Sequence, residues 1–213
     1  MKKVILSVVL LLVSSSALFS QKKSNEKAFN WNFDFDFGRV IGGPNHDFRI
    51  ALLNSGYWDN VSTRNQNAWL LDVSRKINNH LNVGLCLSKS KFNGNYSLYD
   101  FEITTLSSLI QYEIKDIFII GGGPAFYPIS YNWDNTMYGD SKYQKFGLLL
   151  KSSLKLPRKS RLYFSTDIQY RYVGKLKEVQ FSWLGQHDVR IVKIVNHLNL
   201  SNMFFGFGVG LRL

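Results

Sequence analysis

The sequence predicts an all-β protein, an eight-stranded antiparallel up-and-down transmembrane β-barrel with a short helix in its first long loop. Three observations carry that expectation. Apolar and polar residues alternate with period two, connections alternate between short and long, and the N-terminus reads as an export signal.

Residues 29–37 read FNWNFDFDF, with rings at Phe29, Trp31, Phe33, Phe35 and Phe37 and amides or carboxylates between them. Steps of two scatter around a helix but share one face of a strand. This first strand runs to about Val40. The second, Ala68–Ser74, lines up Trp69, Leu71 and Val73, and the third, Leu81–Lys91, sets Leu81, Val83, Leu85 and Leu87 against Asn82, Gly84, Cys86 and Ser88. In the fourth, Phe101–Ile114, the pattern is looser, with Leu106, Ile110, Tyr112 and Ile114 together. The fifth, Ile117–Tyr131, contains GGGP, where a bend is expected. The sixth, Phe146–Leu156, sets Leu148, Leu150, Leu154 and Leu156 against Gly147, Lys151, Ser153 and Lys155. In the seventh, Leu162–Tyr172, Phe164, Ile168 and Tyr170 oppose Ser165, Asp167, Gln169 and Arg171. The eighth, Leu200–Leu213, alternates Phe205, Phe207, Val209 and Leu211 with Gly206, Gly208, Gly210 and Arg212.

The connections after the second, fourth and sixth strands are short (RKINNH, KD, PRKSR), while the others are longer, 41–67 and 173–199 most of all. Tight turns at one end and long loops at the other characterise up-and-down barrels that cross a membrane. Strands of about ten residues suit a tilted crossing. The rings therefore face lipid, and the small or charged face lines a narrow lumen. A secreted lipocalin-like carrier is the competing arrangement, with the same rings packed inward.

The first twenty residues, MKKVILSVVLLLVSSSALFS, place two lysines before an apolar run too short to span a bilayer as a helix. The domain reading is a signal peptide at 1–20, a polar tail at 21–27 and the barrel at 28–213. A single cysteine, Cys86, leaves no internal disulfide framework, and its inward position predicts an inert thiol. Net charge is +11. Export makes nucleic acid a poor partner for that excess and makes anionic lipid or lipopolysaccharide a better one.

The signal segment, the loop GGPNHDFRIALLNSGYWDN, the strand start GGGPAFY and the ending LSNMFFGFGVGLRL together resemble the small outer-membrane β-barrel domain proteins, the porin-family, OmpA/OmpX-like barrels. The resemblance implies residence in the outer membrane of a Gram-negative envelope, with both chain ends in the periplasm. It also implies recognition of the last strand by the barrel-assembly machinery. Such barrels usually end in an aromatic residue; this chain ends in Leu213, with Phe205 and Phe207 earlier on the same face.

Catalytic patterns are sparse. None of the four histidines sits in a His-x-Ser pair, and no His/Cys cluster has metal-ligand spacing. The GGG at 121–123 precedes Pro124 rather than a Lys-Ser/Thr helix start, so it is not a phosphate loop. His46–Asp47 and His187–Asp188 are the remaining candidates for a proteolytic or lipid-active enzyme. The expectation is a non-enzymatic monomer with no catalytic residues, cofactor or metal. Its role is envelope integrity, surface interaction or adhesion.

Three groups of residues stand out. In the first long loop, Phe48 and Leu52 share a helical face after Gly42–Gly43–Pro44, and Tyr57 and Trp58 follow as bulky rings for a surface partner of unknown identity. At the rim, Lys89, Lys91, Lys142 and Lys145 lie toward the long loops, placed to meet phospholipid or lipid A phosphates. In the lumen, Asp34, Asp36, Asp72 and Asp167 face inward with Lys151, Lys155, Arg171 and Arg212. Four acids and four bases predict a paired plug, with Arg171 and Arg212 competing for the aspartates of the first strand and Arg212 reaching Asp34. The faces also predict that a charge at Leu148 is costly and that Gly147→Ser is mild.

Overall fold

A computed structural model describes residues 30–44, 64–93, 99–115, 117–133, 141–157, 160–176, 179–184, 190–195 and 198–213. The signal segment, the tail and the first long loop, with its expected helix and Phe48, Leu52, Tyr57 and Trp58, lie outside these. So do His46, Asp47, His187 and Asp188.

The described residues form twelve strands: β1 (Trp31–Gly42), β2 (Arg64–Lys76), β3 (Leu81–Asn93), β4 (Tyr99–Ile114), β5 (Phe118–Trp133), β6 (Ser141–Leu156), β7 (Leu162–Tyr172), β8 (Lys175–Leu176), β9 (Val179–Leu184), β10 (Arg190–Val195), β11 (Leu198–Asn199) and β12 (Asn202–Arg212). Eight of them close into one antiparallel barrel in the order β1-β12-β7-β6-β5-β4-β3-β2. Closure is the physical requirement for a strand protein in lipid, because an open edge would leave its N–H and C=O groups unpaired. Its last link is β12 on β1, and the seal runs to the chain end, where Asn30 and Trp31 donate to the Leu213 carbonyl and Leu213 donates back to Trp31.

The stagger follows from the register. A walk from Lys142 on β6 passes Ser130, Glu102, Lys91, Asn67, Arg39, Phe205 and Ile168 in turn. It returns to β6 at Ser152, ten residues along from its start. Eight strands at that shear make a barrel whose interior side chains fill it.

Along each strand the outward face changes from apolar to polar toward the loops. Phe35, Leu71, Leu87, Leu106, Phe126 and Phe146 form one continuous pairing row around β1 to β6. Two steps toward the loops the row reads Arg39, Asn67, Lys91, Glu102, Ser130 and Lys142. Phe146 is 82% exposed, Phe207 72% and Phe164 71%. Rings that open to the surroundings belong against hydrocarbon, not water. Between Phe146 and Leu156, β6 covers about 33 Å along the strand, or about 25 Å along the axis at a tilt near 40°, the height of the apolar band in such barrels. The inward-packed carrier arrangement does not fit these exposures.

The eight barrel strands and the assigned faces agree with the sequence pattern, except that Lys145, expected at the lipid-phosphate rim, has inward parity. The boundaries and one connection do not. β2 begins at Arg64 and β6 at Ser141, and the β3–β4 ladder continues through Lys91–Glu102 and Asn93–Asp100, leaving only 94–98 between the strands. Outside the apolar band a strand no longer alternates hydrophobic with polar, so period two fades although pairing persists. The seventh connection, read as one loop, contains the β9–β10 hairpin and the short β8–β11 pair. Gly174 (φ +81°) starts this ribbon in the left-handed region, which favours glycine. The Ser201 hydroxyl accepts from the backbone N–H groups of Val173 and Gly174, both at 3.3 Å, and fixes the ribbon's base to the rim.

Gly147→Ser is not mild. Gly147 does face inward, but a Cβ there would sit 1.9 Å from the Tyr172 carbonyl oxygen, so the bare backbone is required for β6 and β7 to approach. Its neighbour Leu148 is 55% exposed on the lipid face. Leu150→Arg, on the same face near the middle of the apolar band, is expected to cost about 2–4 kcal/mol. Gln144→Arg, on the same face but above the apolar row, should cost under about 1 kcal/mol. Urea unfolding of the refolded barrel in lipid vesicles measures both; equal costs would place the membrane boundary elsewhere.

Candidate functional site

The lumen has two halves. Toward the short turns it is charged. Lys151 and Lys155 leave β6 and cross the interior to strands on the far wall, a span suited to long flexible stems. Lys151 Nζ lies 2.6 Å from Asp72 Oδ2 on β2 and 2.8 Å from Asp167 Oδ1 on β7. Lys155 Nζ lies 2.6 Å from Asp34 Oδ2 on β1 and donates to the Tyr163 hydroxyl at 3.1 Å. Asp34 and Asp72 are direct cross-strand partners, so two like charges stand side by side unless cations separate them. The two lysines perform that separation.

Neutral donors extend the network, although Asp34 Oδ1, Asp36 Oδ2 and Asp72 Oδ1 accept no hydrogen bond. Gln111 donates to Asp72 Oδ2 at 3.0 Å, Ser153 to Asp167 Oδ2 at 3.2 Å, and Ser165 to Asp36 Oδ1 at 2.6 Å. All four aspartates and both lysines are buried. At the turn end Glu113 takes Lys76 at 3.4 Å and the Asn82 amide at 3.4 Å. The Tyr163 ring occupies the space over Gly210, where a Cβ would come within 2.2 Å of it. The guanidinium of Arg212 stacks on the same ring at 4.6 Å.

Toward the long loops the lumen is apolar. Val40, Leu70, Phe92, Phe101, Ile103 and Phe204 are buried there. Leu176, Leu198 and Leu200 from the ribbon base join the same cluster and cover it from the mouth side. Between the halves sits Arg171, fully buried, donating to Gln169 Oε1 through Nε (3.3 Å) and Nη2 (3.2 Å) and to the Ser90 hydroxyl through Nη1. Its guanidinium lies 5.1 Å from the Phe204 ring centroid.

Each of the eight charged residues expected in the lumen faces inward and is buried. The expected partners differ. Arg171 takes Ser90 and Gln169 rather than an aspartate of β1, because it stands two inward positions beyond Asp167 on β7, paired with Asn202 near the loop end. Asp34 Oδ2 is held by Lys155, and the guanidinium of Arg212 lies over the Tyr163 ring. Which strands face each other across a barrel depends on closure and shear, and neither is visible in a single strand's pattern. Tyr163, Gln111 and the entire apolar half were missed. Inward aromatic residues look like lipid-facing ones until the strand's parity is fixed.

The rim lysines divide. Lys89 and Lys91 point outward just above the apolar row and pair with Glu102 (2.9 Å) and Asp100 (3.2 Å) on β4. Lys142 is outward and exposed, whereas Lys145 has the inward parity of Gly147 and Leu149. Cys86 is buried, accepting from the Gln169 amide at 3.6 Å. Among the described residues no group of acidic, His or Cys side chains could hold a metal ion.

No protein-family model and no curated protein matches the chain. Among solved structures, Neisserial surface protein A aligns at 11% identity and a TM-score of 0.49, over 86% of this chain and 97% of its own. The outer membrane protein OprG from Pseudomonas aeruginosa aligns at 12% identity and 0.49, over 88% and 98%. The outer membrane protease OmpT from Escherichia coli aligns at 9% identity and 0.44, over 91% and 100%. The closed eight-stranded antiparallel barrel is the fold class that the sequence pattern predicts.

Lys151→Met leaves Asp72 and Asp167 without their shared cation, and removing one partner from a buried ion pair costs about 3–5 kcal/mol. Lys89→Ala breaks only a partly exposed pair and is expected to cost under about 1 kcal/mol. Urea unfolding followed by tryptophan fluorescence separates the two. Similar small losses would mean that the ion pairs do not hold the lumen.

Proposed function

We propose that this chain is a non-enzymatic, monomeric integral outer-membrane barrel that presents its long loops at the cell surface, serving envelope integrity or surface interaction. The observation that carries this reading is the doubly closed lumen, ionic toward the turns and apolar toward the mouth. A barrel closed in this way offers a scaffold rather than a path for solutes. Its chemistry is then directed outward, to lipid along the wall and to partners at the loops.

Export through the segment at 1–20 and assembly through β12 would bring the barrel to that membrane. The loop residues Phe48, Leu52, Tyr57 and Trp58 are the proposed partner-facing group. At the outer wall, Lys142 is better placed than Lys89 or Lys91 to meet a phosphate of phospholipid or lipopolysaccharide, because the latter two already face carboxylates. Lys145 takes no part in this, given its inward parity.

Two measurements test the proposal. An epitope inserted beside Asn60 should be labelled on intact cells; labelling only after lysis would reverse the orientation. Purified barrel in planar bilayers should give no steady large conductance, whereas sustained openings of porin size would contradict the closed lumen. Lys151→Met should be the variant with the greatest chance of leaking, because it unlocks the ionic half.

A further inference from the structure

Arg171 is a fully buried cation whose hydrogen-bond partners are neutral, and among the described residues no carboxylate lies within ion-pair distance of it. Gln169 and Ser90 engage three of its five N–H donors. Burying a guanidinium without an opposite charge is costly, and a ring face at 5.1 Å offsets only part of that cost.

A second observation concerns the wall beside Ser90. One inward position toward the turns on β3 is Ser88, whose direct cross-strand partner on β4 is Thr105. Both side chains are fully buried, and neither Ser88 Oγ nor Thr105 Oγ1 has a hydrogen-bond partner. Two orphaned hydroxyls, each able to donate, therefore stand near the hydroxyl that Arg171 grips, that of Ser88 about 7 Å along β3 from it and that of Thr105 on the neighbouring strand opposite Ser88. The carboxylates that could neutralise Arg171 are held elsewhere. Asp72 and Asp167 share Lys151, Asp34 has Lys155, and Asp36 accepts from Ser165.

We propose that Arg171, with the hydroxyls of Ser88 and Thr105, forms a buried site for one small inorganic monoanion, chloride in the cell, between the ionic and apolar halves of the lumen. The spare guanidinium N–H groups supply the charge and the two hydroxyls supply neutral donors. Size is the selecting feature, since the spare donors stand among fully buried side chains, next to the apolar cluster of Phe92, Phe101 and Phe204. The anion is enclosed as the barrel folds, and it supplies the charge that no side chain brings to Arg171. This site goes beyond the proposed function, because a closed surface barrel needs no anion to be closed.

The test uses the full mature chain refolded from urea into detergent micelles, with sodium bromide or sodium gluconate at equal ionic strength. Bromide should raise the unfolding temperature by about 3–5 °C for each tenfold increase above its dissociation constant. That rise should vanish in Arg171→Gln. Should Arg171→Gln not refold, Ser88→Ala/Thr105→Val retains the cation and should still shift the dependence to higher bromide. Crystals grown in bromide should show an anomalous peak beside Arg171. Equal unfolding temperatures in bromide and gluconate, or water alone at that position, would overturn the site; surface conductance and labelling results would be untouched by either outcome.

Discussion

Pairing every backbone amide without water is the constraint on which the rest of this structure depends. β1 must meet β12, and the ladder is carried to the last residue through Leu213 and Trp31. Closure at eight strands and a ten-residue shear then fixes the lumen's width. That width decides which side chains can touch: lysines on β6 are long enough to reach aspartates on β1 and β2, and glycines line β12 where the Phe204 and Tyr163 rings and the neighbouring β1 backbone leave no room for a side chain. The interior network is a consequence of backbone closure rather than its cause.

The division of the lumen into an ionic and an apolar half has an energetic logic. A network of buried charges is stable only when every member is paired, and a dry apolar cluster needs no pairing at all. Placing the apolar half at the mouth shields the ion pairs from water on the side of the long loops. The ribbon base contributes to that shield, since Leu176, Leu198 and Leu200 pack into the same cluster as Phe92 and Phe204. The arrangement links the longest described connection directly to the barrel's interior.

Much of this was legible in the sequence. Period two gave each strand its lipid face, and Asp34, Asp72, Lys151 and Lys155 were recognisable as lumen residues from parity alone. Their pairing was not legible, because contacts across a barrel depend on shear, which only the complete set of registers defines. The β9–β10 hairpin was read as loop although Val179, Phe181 and Trp183 alternate with Gln180 and Ser182, because its six-residue strands are short beside those that close the barrel. Gly147 shows the same limit at one residue: parity placed it inside, but the approach of the Tyr172 carbonyl could not be read from β6 alone.

The central claim is that lipid touches one face of every barrel strand and that bulk water does not enter the interior. Solid-state NMR of the unmodified chain in lipid bilayers tests it, by magnetisation transfer from acyl-chain protons and from water protons. The account predicts transfer from lipid to Leu148, Leu150, Leu154 and Phe164, and slow transfer from water to the ammonium groups of Lys151 and Lys155. Rapid water transfer to those ammonium groups, or lipid contact at Ser153 and Asp167, would contradict it.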